Sequence, residues 1–169
     1  MYVFGVVLHH GEGGAQSRND IHLYSWMEYE NCKNSNMIAS ALNHCFRHVL
    51  NQKMFRSKTL RLFSDSCYGQ NKNMNVLSML FCFANENKRL QIEYTFPVRG
   101  HSFLPADRVF GRIQQTLKKQ ETILLPSAYE HFLKQHGNVY SYNRDWHALN
   151  FKKAVNISSK LSKHSKLVT

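Results

Sequence analysis

Leu60-Arg61-Leu62-Phe63-Ser64-Asp65, where Leu60, Leu62 and Ser64 alternate with Arg61, Phe63 and Asp65, and Leu90-Gln91-Ile92-Glu93-Tyr94-Thr95-Phe96, where apolar and polar residues alternate throughout, are two short runs that read as strands. Period-two alternation is the signature of a half-buried strand. Between them, Val76, Leu77, Leu80, Phe81 and Ala84 recur at helical spacing. A strand, a helix and a strand over residues 59–97 imply two parallel strands joined by a right-handed crossover. That unit decides the class: α/β with a mixed sheet.

Outward from this centre the chain keeps the same grammar. Upstream, residues 2–9 and 21–27 read as strands. The Gly-rich connector Gly11-Glu12-Gly13-Gly14 makes them a long-looped hairpin. Asn34 or Ser35 can cap a helix through Met37, Ile38, Ala41, Leu42, Cys45, Val49 and Leu50 that ends near Met54. Downstream, Pro105 suits the start of a helix containing Val109, Phe110, Ile113 and Leu117. A last helix runs from Pro126 to a stop at Gly137. Residues 1–150 form the domain; residues 151–169 are a basic, Ser- and Lys-rich tail expected to be disordered.

Composition narrows the function. Lys and Arg number 22 against 11 Asp and Glu, a formal charge of +11. That excess favours an anionic partner, nucleic acid ahead of a membrane surface, because no basic amphipathic helix stands out. A merely basic soluble surface accounts for the charge equally well. No run approaches the roughly 20 apolar residues needed to span a bilayer. Met1 to Leu8 lack a basic leader, and the four cysteines form no CxxC pair, so an intracellular compartment with reduced thiols is expected.

Parallel strands joined by a helix bring their carboxyl ends to one sheet edge, where open α/β sheets bind ligands. Asp65 ends one strand and His101 follows the other. Gln70, Asn71 and Asn73 lie in the loop between, and Asp107 starts the next helix. Two carboxylates there suit Mg²⁺ or Mn²⁺, hard cations that retain open positions for phosphate oxygens. The plainer readings are a loop cap for Asp65 and an acidic first-turn residue for Asp107. By spacing alone the plainer readings are favoured about two to one.

Weaker signals have plainer accounts too. His44 and His48 stand one turn apart, which suits zinc, but an ordinary polar helix face explains them better. Cys67 with His101 could form a thiol–base pair; a small packing residue is the simpler role. Trp26 at a strand end reads as packing. Lys118-Lys119, Lys152-Lys153 and the tail lysines could track phosphates or simply stay solvated.

Ser64-Asp65-Ser66-Cys67-Tyr68-Gly69-Gln70-Asn71-Lys72-Asn73 resembles the signature SDNCGGQNKN of an uncharacterised, transposon-derived domain family of animal genomes. Gly100-His101-Ser102-Phe103-Leu104-Pro105-Ala106-Asp107-Arg108-Val109-Phe110 is similar to its second signature, GHSxLPxDRxF. Tyr2-Val3-Phe4-Gly5, Trp26-Met27-Glu28 and Ser35 to Ser40 resemble its strand pair and first helix, so the likeness spans roughly residues 2–150. Ser66 and Tyr68 depart from the signature's Asn and Gly.

The resemblance implies an RNase H-like fold of the DDE-transposase type, in which three acidic residues hold two metals. On that reading Asp65 and Asp107 are catalytic and bind Mg²⁺ or Mn²⁺. His101 and Arg108 contact the substrate, and Asn71 and Asn73 hold the substrate loop. The first, central strand, which carries the third acid, is missing. The expected function is that of a transposase-derived, nuclease-like domain whose ancestors cut or joined DNA with metal, inactive in this form. The alternative is a domesticated module that binds nucleic acid or protein without catalysis. A nuclear location and self-association through exposed strand edges complete the expectation.

Overall fold

The computed structural model describes residues 1–9, 16–50, 59–87, 90–98, 104–119, 125–151 and 153. They form a mixed α/β protein whose chain divides into two compact units. One unit combines Met1–Cys32 with His101–His147, and the other combines Lys33–Gly100 with Ala148–Thr169.

In the first unit, β1 (Tyr2–Val7) pairs antiparallel with β2 (Ile21–Trp26), Tyr2 opposite Trp26 and Val7 opposite Ile21. Strand β5 (Asn138–Ser141) pairs with the far side of β2 in parallel, giving a mixed sheet of order β1-β2-β5. Every residue of the central β2 is buried, whereas every residue of the edge strand β1 is half-buried. Helices α3 (Pro105–Lys118) and α4 (Pro126–His136) complete the unit. Val109, Ile113 and Leu133 pack with Ile21 and Leu23 into a core joined by Val3, Val7 and Phe110. The opposite face of β2 is aromatic. Tyr24 stacks on Tyr140 at 5.0 Å, and Trp26 meets Trp146 edge-on at 5.9 Å, both tryptophans being buried.

In the second unit, Asn34 accepts hydrogen bonds from the backbone of Asn36 and Met37 and so caps α1 (Ser35–His44). The helix continues as π-helical turns over Cys45–Leu50. Its apolar face packs on α2 (Met74–Glu86), with Phe46 and Phe83 rings 5.2 Å apart. Helix α2 is the crossover between β3 (Thr59–Phe63) and β4 (Gln91–Thr95), which pair in parallel with Thr59 opposite Gln91. Beyond the last helix, Leu149 and Phe151 return to α1. Asn36 donates to the Leu149 carbonyl at 2.6 Å and accepts from the Phe151 backbone at 2.9 Å.

The strand–helix–strand unit, the hairpin and the helix starts at Pro105 and Pro126 are therefore present. Strands β3 and β4 form their own two-stranded sheet rather than extending β1-β2-β5. The end of the first helix beyond Leu50, His101 and nearly all of the C-terminal tail lie outside the described residues.

Candidate functional site

Each unit carries its own group of polar side chains. In the second, Asp65 follows β3 at the carboxyl end of the parallel pair, where backbone carbonyls end and a loop must turn toward α2. Its Oδ1 accepts from the Asn71 side chain at 2.5 Å and from the Cys67 backbone N–H at 3.4 Å. Backbone N–H groups of Gln70, Asn71 and Lys72 all converge on the Cys67 carbonyl, so the loop is a tight set of turns. Asn73 closes it. Its side chain accepts from the Asn75 backbone to cap α2 and donates to the Tyr68 carbonyl at 3.1 Å.

Behind this loop lies Tyr94 of β4. Its hydroxyl is 2.8 Å from the Ser64 hydroxyl and donates to the Asn71 carbonyl at 3.3 Å. Burial raises the phenol's pKa, the Ser64 hydrogen bond opposes that, and the Asp65 carboxylate adds to it. The ammonium of Lys72 sits 5.2 Å from the Tyr68 ring and 5.3 Å from that of Phe96, a two-ring cation–π contact at the mouth of the loop.

In the first unit, Asp107 occupies the first turn of α3, and its Oδ2 accepts from the Leu104 backbone N–H at 2.9 Å. One turn of carboxylate at a helix start satisfies an otherwise unpaired donor and opposes the helix dipole. Arg108 and Arg112 follow on the exposed side of α3. With His9, Gln16, Pro105, Gly111 and Gln115 they line a groove of about 730 Å³, and none of these described lining residues is acidic. Near the other end of α3, Thr116 Oγ1 lies 3.1 Å from His136 Nε2. Burial lowers the pKa of His136, and the neighbouring Arg112 and Arg18 guanidinium groups lower it further.

The sequence-derived residues are thus distributed between units. Asp65, Asn71 and Asn73 belong to the second, Asp107 and Arg108 to the first, and His101 lies outside the described residues. Ser64, Tyr94 and Lys72 join the Asp65 group, and Arg112, Gln115 and His9 join Arg108. The spacing of Arg108 and Arg112, one turn apart, was the available signal for the groove. Among the described residues, no three His, Cys, Asp or Glu side chains gather to hold a metal ion. Asp65, with an amide donor already on its Oδ1, is a single carboxylate and does not by itself form a cage for Mg²⁺ or Mn²⁺. No helix among the described residues is long and apolar enough to cross a membrane.

Fold and site define a mixed α/β protein with a basic helix-lined groove and a carboxylate-centred loop. The chain belongs to the family of the domain of unknown function DUF7869, whose model matches residues 1–169. No curated protein and no solved structure matches it.

Proposed function

We propose that this chain is a transposase-derived, RNase H-like, nuclease-type domain that holds nucleic acid, DNA in the first instance, without cutting it. The observation that carries the reading is the groove along α3, where Arg108 and Arg112 stand one turn apart with no acidic neighbour among its described lining residues. Guanidinium groups at that spacing suit successive phosphates, each a bidentate acceptor. The +11 charge of the chain supplies the longer-range attraction. Asp65, at the carboxyl end of a parallel strand, and Asp107, in the first turn of α3, are the two positions a nuclease ancestor would have used for Mg²⁺ or Mn²⁺.

The second reading, a domesticated module that binds nucleic acid or protein without catalysis, draws on Asp107. Its carboxylate is already engaged in capping α3.

Fluorescence anisotropy with a labelled duplex and a labelled single strand tests the proposal. Binding should weaken steeply with salt and be reduced by the double substitution Arg108→Ala, Arg112→Ala. No binding at low ionic strength, or binding indifferent to both salt and the double substitution, would refute it.

A further inference from the structure

Strand β1 lies at the end of its sheet, and its hydrogen-bond pattern shows what its other edge offers. The Leu8 N–H donates to the Asp20 carbonyl at 2.8 Å, which continues the register in which Val7 faces Ile21. Residues 8 and 20 are therefore a hydrogen-bonded pair. Because such pairs alternate along an antiparallel ladder, Tyr2, Phe4 and Val6 also bond to β2. Val3, Gly5 and Val7 then direct their N–H and C=O groups away from β2. Among the described residues no strand receives them.

The side chains agree with the backbone. All six residues of β1 are half-buried where all six of β2 are buried, the mark of a strand covered on one flank only. Nothing on β1 blunts the edge. Tyr2-Val3-Phe4-Gly5-Val6-Val7 contains no charge and no proline, and its register with β2 is unbroken by a bulge.

We propose that the open edge of β1 pairs with the β1 of a second copy of this chain, antiparallel and centred on Gly5. That register is self-complementary. Val3 faces the second copy's Val7 and Gly5 faces Gly5, with each pair exchanging both backbone bonds. On the opposite face, Phe4 lies beside Val6. Every cross-strand neighbour is uncharged and apolar, so two strongly basic chains meet where neither carries charge. The product is one continuous sheet of order β5-β2-β1-β1-β2-β5.

This inference is independent of the nucleic-acid reading, and salt separates the two. Screening weakens repulsion between two +11 chains, so pairing strengthens with salt while phosphate binding weakens. Sedimentation of the purified chain from about 5 to about 200 µM should show a monomer–dimer equilibrium that shifts toward dimer at higher salt. Hydrogen exchange should show concentration-dependent protection of the Val3, Gly5 and Val7 amides.

Val6→Lys places an ammonium opposite Phe4 of the second copy and should abolish the dimer. If that variant does not fold, the exchange pattern of the unaltered chain decides. A chain monomeric throughout, a dimer that survives Val6→Lys, or protection that appears elsewhere than these three amides would overturn the proposal.

Discussion

Asn71 donates a 2.5 Å hydrogen bond to Oδ1 of Asp65 across six residues of loop. Through it the end of β3 is tied to the turn that precedes α2. The same Asn71 accepts from Tyr94 through its backbone carbonyl, so β3, β4 and the loop form one hydrogen-bonded unit. Asp65 is exposed, and water competes for its carboxylate. Asp65→Ala should therefore lower the unfolding free energy by no more than about 1 kcal/mol in urea denaturation. A loss several times larger would mean that the loop supports far more of the fold than its contacts indicate.

Gly137 should be far less replaceable. A Cβ at this position would lie 2.7 Å from the Ile21 carbonyl oxygen and 2.6 Å from its Cγ2. The backbone there is extended, so the demand is for space and not for an unusual dihedral. Since Ile21 and Gly137 sit where β2 and β5 begin to pair, neither backbone can withdraw freely. Gly137→Ala is expected to cost about 1–3 kcal/mol, the range of overpacked cores. Equilibrium unfolding measures it, and an unchanged midpoint would show that the strands can separate there at no cost.

Acid should destabilise the first unit through His22. This side chain is 3% exposed on the fully buried β2, its Nε2 has no hydrogen-bond partner among the described residues, and Nδ1 lies 3.4 Å from the Tyr140 hydroxyl. Burial lowers its pKa, and the Asp20 carboxylate offsets part of that. A depressed imidazole pKa means that the unfolded chain binds more protons near the ordinary value of about 6.5. The neutral histidine's contribution is thus full above that pH and is lost as pH falls toward the folded-state value. His136, lowered by burial and by Arg112 and Arg18, adds in the same direction. Unfolding followed between about pH 8 and about pH 5 should show falling stability, and His22→Leu should flatten the slope. An equal slope in that variant would assign the effect to other groups.

The fold was legible where periodicity had room to show. Leu90 to Phe96 alternates long enough to declare a strand, Leu60 to Asp65 reads as a shorter one, and the helical apolar spacing between them declares the crossover. Strand β5 was not legible. Asn138–Ser141 spans only four residues, too few for a period, and its partner β2 is more than a hundred positions away. Gly137 was readable as a helix stop, but nothing local said that its missing side chain also admits the β2 backbone.

The site was legible as residues and not as an assembly. Asp65 and Asn71 adjoin in the sequence signature and in space, whereas Tyr94 reaches them only because β3 and β4 pair in register. The basic groove was missed for a different reason. The second signature singles out Arg108 but not Arg112, and the two become neighbours only once α3 is wound.

That groove predicts a graded response to salt. Each phosphate contact removed should reduce the slope of log affinity against log salt by about 1. Arg108→Ala and Arg112→Ala should each do so, with similar loss for unrelated duplex sequences, because contacts to phosphate carry no base information. Loss confined to one sequence would instead indicate base recognition. Arg61→Ala is the control. Arg61 lies in the second unit and is paired with Glu93 at 2.8 Å, so its removal should leave the slope unchanged.

Cleavage is the sharper question, and the expectation is that the purified chain does not cut DNA with Mg²⁺ or Mn²⁺. Two-metal hydrolysis needs carboxylates that fix both ions and leave positions for the attacking water and the leaving oxygen. In the second unit Asp65 contributes one carboxylate, and its Oδ1 already receives an amide hydrogen from Asn71. In the first unit Asp107 uses Oδ2 to cap α3. A cation drawing on either carboxylate must compete with these bonds, each a charge-assisted interaction worth about 1.5–3 kcal/mol when shielded and less in water. Incubating supercoiled plasmid with the chain and either metal should leave it intact, while the same preparation still shifts a labelled duplex. Nicking by the unaltered chain that disappears in both Asp65→Ala and Asp107→Ala would show that the two carboxylates do act together on metal. It would restore the full nuclease assignment in place of binding alone.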